Sequence, residues 1–177
     1  MTETTSLKCT CGQTCIDVIG SPIASVECCC TSCRVSGLKL QKLQAAPQVL
    51  TDYETTPFVM YRKDRVRFVS GVETLREIRM SPDAKTRRVV ATCCNTPIFL
   101  EFLQGHWLSI YAGLWPDDAR PPLDMRTMAG DLPDSVTLPD DVPNPKKHSL
   151  GFYAKLMGAW IAMGFRVPAV PETPPLD

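Results

Sequence analysis

Histidine is scarce in this chain: His106 and His148 are the only two among 177 residues. So little imidazole excludes a histidine-rich metal site and leaves few groups for ordinary acid–base chemistry. Charge of one sign is also missing. Nineteen Lys and Arg balance nineteen Asp and Glu, which removes the long-range attraction expected of a nucleic-acid binder. Met1 to Lys8 is polar and Thr-rich, without the basic and apolar regions of a secretory signal, so the expected setting is reducing and cytoplasmic. There is no nucleotide-binding fingerprint, no serine-centred elbow and no basic-aromatic stripe.

Cysteine, by contrast, is abundant, with nine residues, four of them inside "ECCCTSCR", Glu27 to Arg34. In a reducing compartment such dense motifs read as metal-binding or catalytic rather than as a disulfide framework, and an odd number cannot all pair. The length suits one domain with a real core. Charge is unevenly spread. Arg62 to Arg88 carries nine Lys/Arg against four Asp/Glu, while Trp115 to Val142 carries seven Asp against two Arg. These faces either pair with each other or form a basic wall for a small anion.

Strands dominate the first two thirds. "IDVIGSP" reads as a strand ended by Gly20-Ser21-Pro22, and "IASVECCC" as a second, with Thr31 to Arg34 as a tight turn folding Cys33 back over its end. "FVMYRKDRVRFVSG" predicts two strands about a charged turn at Arg62 to Asp64, and "TLREIRMSPDAKTRRVVATCCNTPIFLEF" a hairpin and a further strand. Between Pro116 and Pro145 prolines and aspartates cluster, which predicts an irregular arm over the domain surface. "SLGFYAKLMGAWIAMGF" predicts a helix from Leu150 to Phe165, with Ser149 as N-cap and Pro168 beyond its end. At roughly 24 Å, and interrupted by Lys155, it is too short to span about 30 Å of hydrocarbon. Being apolar nearly all round, it should be buried against its own domain, against a second copy in a homodimer, or at a membrane surface. The Pro-rich end that follows should be mobile. The expected organisation is a mainly β domain over 7–115, the arm over 116–148, the helix over 149–166 and the tail over 167–177.

The cysteines fall into three groups: Cys9-x-Cys11-Gly12, Cys28-x-Cys30-x-x-Cys33 and Cys93-Cys94-Asn95. Alternate residues of an extended chain share a side, so Cys9 joins Cys11 and Cys28 joins Cys30, while Cys29 points elsewhere. Zinc takes four thiolates at about 2.3 Å, usually as close pairs from two remote segments. Two half-sites and one three-thiolate site are on offer. In such knuckles the residue after a ligand cysteine often has positive φ, which glycine adopts freely and asparagine tolerates. Gly12 and Asn95 therefore support Cys11 and Cys94 as ligands. Zinc is preferred for thiolate ligation and abundance, although iron fits similar sites.

"CTCG", "CCCTSCR" and "ATCCNTPIF" together resemble, in order, the three motifs of the glutathione-dependent formaldehyde-activating enzyme family, also called CENP-V/GFA, over about 7–103. The resemblance implies a zinc-containing β-tent fold. It implies a structural zinc on Cys9, Cys11 and Cys94, and a second, catalytic-type zinc on Cys28, Cys30 and Cys33, followed by the family's arginine at Arg34. Ala91 stands where the family has a cysteine, so Cys93 is the substitute fourth ligand, with Cys15 a poorer one. Cys29 replaces a frequent histidine and Asn95 a glycine, as in a divergent branch with a Cys-Cys late motif.

Three protein ligands and an open position make a catalytic pattern, and three thiolates damp Lewis acidity, so binding an incoming thiol as thiolate is a better use than making hydroxide. The resemblance implies that the thiol is glutathione and its partner formaldehyde, which is carbon–sulfur lyase chemistry. Arg34 or the Arg62, Lys63, Arg65 cluster could meet the anionic thiol, and Glu27 could accept its proton. The two histidines read as packed or surface residues. Two other readings stay open: a non-catalytic zinc-stabilised module that uses the C-terminal helix for partner contact, and a redox switch at Cys30-Thr31-Ser32-Cys33.

Overall fold

The computed structural model describes residues 3–176 and is mainly β, with two sheets and a C-terminal helix. A three-stranded antiparallel sheet has the order β1 (Thr4–Lys8), β2 (Cys15–Ile19), β5 (Val66–Ser70). A seven-stranded sheet uses β3 (Ala24–Cys28), β4 (Thr56–Arg62), β6 (Leu75–Ile78), β7 (Thr86–Ala91), β8 (Thr96–Phe102), β9 (Trp107–Tyr111) and β10 (Met125–Thr127). Its order is β10-β3-β4-β9-β8-β7-β6, with β10 parallel to β3 and the remaining pairs antiparallel.

Strand alternation gives the large sheet two apolar faces. Val59, Val89, Phe99 and Ile110 pack with Leu7, Ile16 and Val18 of the small sheet in one core. Val26, Phe58, Met60 and Val90 face the other way, into a second core closed by helices α1 (Thr31–Leu40) and α2 (Leu150–Ala162). The strands about Arg62 to Asp64 are both present, but β4 and β5 belong to different sheets, and a short 3-10 turn at Lys63–Arg65 carries the chain between them.

The tight turn expected at Thr31 to Arg34 is instead the first turn of α1. Cys30 caps this helix, its sulfur accepting the Cys33 backbone N–H at 3.4 Å. A sulfur cap is outside the usual Ser, Thr, Asp and Asn signature, and the helix has no strong apolar stripe, so the sequence did not announce it. Gly37 lets α1 approach the chain after it, since a Cβ there would lie 2.4 Å from Leu50 Cδ2.

Within the Pro/Asp-rich arm, β10 adds a regular edge beside β3. Arg126 of β10 is deeply buried and pairs with Glu27 at 2.8 Å and Asp141 at 2.6 Å. Ser149 caps α2 as expected, its hydroxyl accepting the Phe152 N–H at 3.1 Å. The helix stops at Ala162, three residues earlier than predicted, where Gly164 turns left-handed (φ 61°). Only Phe152 and Leu156 of α2 are buried; Leu150, Tyr153, Met157 and Ile161 are exposed. No helix among the described residues is long and apolar enough to cross a membrane.

Where a mobile end was expected, residues 171–176 run beside β6. Glu77 N–H donates to Pro174 O (2.9 Å), Leu176 N–H donates to Glu77 O (2.8 Å), and Arg87 donates to Thr173 Oγ1 and Pro171 O, each at 3.1 Å. An open sheet edge presents unpaired backbone groups to any extended segment, and proline carbonyls still accept.

Candidate metal centres and the adjoining cavity

Two cysteine clusters lie on opposite sides of the large sheet. In the first, the sulfurs of Cys9, Cys11, Cys93 and Cys94 all fall within 4.8 Å of one another. Cys9 to Cys11 is 3.6 Å, Cys9 to Cys93 is 3.7 Å and Cys93 to Cys94 is 3.9 Å. A tetrahedral ion with bonds of about 2.3 Å needs edges of about 3.8 Å between its sulfurs, so this donor set fits a thiolate-bound metal such as zinc. Cys15 does not join the cluster.

Local backbone explains how adjacent residues reach one centre. Ala91 O accepts the Cys94 N–H at 3.3 Å, closing a turn, and Asn95 follows with φ 52°. Gly12 has φ 80° with nothing near its missing Cβ, so conformation alone selects glycine there. Thr96 ties the two segments together, its Oγ1 accepting Thr10 N–H at 3.1 Å and lying 3.0 Å from Cys94 Sγ. Burial pushes both late thiols up. For Cys93 it prevails, aided by Cys11, and the thiol rises to about 12. At Cys94 hydrogen bonds from Thr96 and the Cys11 backbone overcome it, lowering the thiol to about 6.

The second cluster holds Cys28, Cys30 and Cys33, again within 4.8 Å of one another, and among the described residues no fourth Cys, His, Asp or Glu completes it. Cys28 ends β3, Cys30 caps α1 and Cys33 sits one helical turn on. The neighbouring Cys28 and Cys33 thiols, with the Cys33 amide and the Arg88 charge, hold Cys30 far below the ordinary thiol range despite burial. Cys30 and burial push Cys28 up, and Cys28, Cys30 and burial push Cys33 up. One thiolate at a helix N-terminus, shared by two thiols, is a donor set ready to exchange two protons for a cation. Cys29 is fully buried outside the cluster.

These three cysteines line a cavity of about 480 Å³ between the large sheet and α2. Its floor is a lateral row in register: Arg88 of β7 opposite Leu100 of β8, Leu100 opposite Ser109 of β9, and Ser109 opposite Met60 of β4. Phe152, Tyr153 and Leu156 close it from α2, which is anchored where His106 Nε2 meets Leu156 O at 2.9 Å and the imidazole stacks on Trp160. His148 lines the cavity too, stacked on Phe152, its Nδ1 buried and without a hydrogen-bond partner among the described residues. Burial lowers the pKa of His148, although the Cys30 charge opposes this.

Several residues singled out in the sequence are engaged elsewhere. Arg34 pairs with Glu54 and donates to Asp131 O at 3.3 Å, and is not part of the cavity lining. Glu27 accepts from Thr55 Oγ1 at 2.9 Å and from Arg126. Lys63 pairs with buried Glu101, and Arg62 with Asp64 at 2.6 Å. Of the nine cations from Arg62 to Arg88, four (Arg62, Lys63, Arg79 and Arg87) are thus engaged in ion pairs. Two polar residues of the cavity lining, Arg88 and His148, carried no local signal. Arg88 lies in a Thr-Arg-Arg-Val-Val-Ala strand where either arginine could face solvent, and His148 follows two lysines in a loop.

A mainly β chain carrying two cysteine clusters that could each hold a metal ion is the class that fold and sites define. No family model and no curated protein matches it. A structural-genomics crystal structure of a Rhodobacter sphaeroides protein is similar at 14% identity, covering 70% of this chain and 100% of that chain, with a TM-score of 0.49. At that level the likeness carries no functional information.

Proposed function

We propose that this chain is a divergent relative of the glutathione-dependent formaldehyde-activating enzymes. On this reading Cys9, Cys11, Cys93 and Cys94 hold a structural zinc, and Cys28, Cys30 and Cys33 serve carbon–sulfur bond chemistry between a thiol and a small aldehyde. The observation that carries the reading is the three-sulfur cluster opening into a cavity, with no fourth protein ligand among the described residues. The order and spacing of the three cysteine motifs support it from the sequence side.

A zinc ion bound by three thiolates would supply one open position at which an incoming thiol is held as its thiolate. The protein's own groups do the rest. His148, which lines the cavity and is kept neutral by burial, has an unpartnered Nδ1 among the described residues and would take the thiol proton. The sulfur then attacks the aldehyde carbon and a C–S bond forms. The carbonyl π pair moves to oxygen, which takes the proton back from His148, so the addition is redox-neutral and reversible. α2 covers one side of the cavity, and Arg88 sets a fixed positive charge beside the sulfurs.

Native mass spectrometry with elemental analysis tests the reading on wild type and Cys30→Ser. Two zincs falling to one in the variant, with a thiol adduct on wild type only, is the expected result. Equal metal content in both proteins and no adduct would remove it.

One observation favours a second reading, a zinc-stabilised binding module: Leu150, Tyr153, Met157 and Ile161 form an exposed apolar strip along α2. Sedimentation that stays monomeric across concentration, and is unchanged by liposomes, counts against a second copy or a lipid surface there.

A further inference from the structure

The cavity beside the three cysteines is apolar almost throughout. Phe58, Met60, Leu100, Trp107, Phe152 and Leu156 supply its walls. One cation interrupts them. Arg88 is 1% exposed, and it is the exception among the buried cations. Lys63 pairs with Glu101, Arg87 with Glu77 and Glu101, and Arg126 with Glu27 and Asp141, whereas Arg88 has no carboxylate partner among the described residues. Its terminal nitrogens are held by neutral oxygens, Thr86 Oγ1 at 3.3 Å and Ser32 Oγ at 2.9 Å. Its Nε–H is buried with no acceptor.

A desolvated guanidinium with an idle donor is a costly arrangement that a ligand oxyanion relieves, and charge-assisted hydrogen bonds to carboxylates are the strongest available to it. Ser32 lies in the first turn of α1 between Cys30 and Cys33, so its grip on Arg88 places the guanidinium at the sulfur end of the cavity. The apolar floor leads away from that end along Leu100 and Met60.

We propose that the ligand of this cavity is an aliphatic or aryl monocarboxylate, its head on the Arg88 guanidinium and its hydrocarbon body between Leu100, Met60 and Trp107 below and Phe152 and Leu156 above. Its role as a substrate rests on the thiol–aldehyde reading; its binding does not. The lining selects against glutathione, which brings two carboxylates and an ammonium to a site with one idle donor and apolar walls. A thiol or aldehyde reactant of this enzyme is therefore expected to bear a hydrocarbon chain or ring and one carboxylate. The volume, about 480 Å³, suits such a molecule.

Octanoate is the probe, with 1-octanol as its uncharged counterpart and glutathione as the polar control, each titrated into full-length protein by calorimetry and by tryptophan emission. Saturable one-to-one octanoate binding is expected, at least tenfold tighter than 1-octanol or glutathione. The emission change should vanish in Trp107→Phe, and Arg88→Gln should weaken octanoate at least tenfold. Absent binding, equal affinity for 1-octanol, or an emission change that persists in Trp107→Phe would overturn the proposal, whether or not Arg88→Gln folds. Cys30→Ser separates the two claims. Octanoate binding retained in a variant whose metal content and thiol adduct match wild type upholds this proposal while removing the thiol–aldehyde reading. The opposite failure, a thiol adduct on wild type without octanoate binding, leaves that reading standing and removes this one.

Discussion

The sulfur of Cys93 lies 3.7 Å from that of Cys9, which is 84 residues earlier in the chain. That contact stitches the turn after β7 to the turn after β1, and so joins the two sheets at one end. Cys93→Ser should therefore remove one metal equivalent and lower the melting temperature sharply, because a structural zinc contributes several kcal/mol or more to folding. Cys15→Ala, at a buried thiol outside the cluster, should keep the metal count. Elemental analysis and thermal melts of both variants check this, and an unchanged count in Cys93→Ser would exclude Cys93 as a ligand.

His148 provides a second test. If it carries the proton in thiol addition, His148→Ala should slow the reaction by about 10²-fold or more while both metal equivalents remain. Stopped-flow rates with formaldehyde and a thiol carboxylate, set against metal content, separate a chemical role from a structural one. A rate within twofold of wild type would remove His148 from the mechanism.

Arg87 sits almost fully buried between Glu101 at 2.5 Å and Glu77 at 2.9 Å while also holding the tail through Pro171 O. Removing Arg87 leaves Glu101 to Lys63 and Glu77 to Arg79 and strips each of a charge-assisted hydrogen bond, at a cost of about 1.5–3 kcal/mol. Arg87→Met is expected to shift urea unfolding accordingly and to expose residues 171–176 to limited proteolysis. Unaltered cleavage of the tail would mean that its docking does not depend on Arg87.

Acid should loosen α2. Burial, with the Lys63 and Arg62 charges, pushes His106 below the ordinary histidine range, and the bond to Leu156 O only partly opposes this. The unfolded chain takes up a proton near pH 6.5 while the folded one resists until lower pH. His106 therefore contributes its full stabilisation above about pH 6.5 and loses it as pH falls through the folded value. Hydrogen exchange in α2 at pH 7.5 and 5.5 should show faster opening at the lower pH, after correction for intrinsic rates. His106→Gln should abolish most of the difference, and equal protection at both pH values would contradict the linkage.

A related linkage acts at Glu77. Burial would raise its carboxyl, but hydrogen bonds and charges from Arg79 and Arg87 outweigh this and hold it below the usual range. Tail docking should then be complete above about pH 4.5 and fade as pH drops through the lower folded value. Proteolysis of the tail with an acid-active protease across pH 3 to 6 would follow it, and cleavage independent of pH would refute it.

Much of the cysteine arrangement was legible because it is local. Residues two apart on an extended chain share a side, and residues three apart in a first helical turn meet again, so Cys9 with Cys11 and Cys28 with Cys30 and Cys33 follow from spacing once each segment is extended or helical. Gly12 and Asn95 announced their left-handed turns through residue type, and Ser149 announced a helix start. α1 was missed because its cap is a sulfur and its apolar stripe is weak. The exposed strip on α2 was missed because uniform apolarity does not say which side will pack.

By itself the sequence determined the strand periodicities, the knuckle turns and the cysteine spacings, since each depends on φ, ψ and side-chain direction within a few residues. Tertiary structure alone decided which charges end up paired. Strand register set Arg88 opposite Leu100, where no carboxylate follows, and sent Arg87 to the other side, where Glu77 and Glu101 wait. Folding of the arm likewise carried His148 from a lysine-flanked loop into the wall of the cavity. These placements are sums of many weak, long-range packing preferences, and no short stretch of chain encodes them.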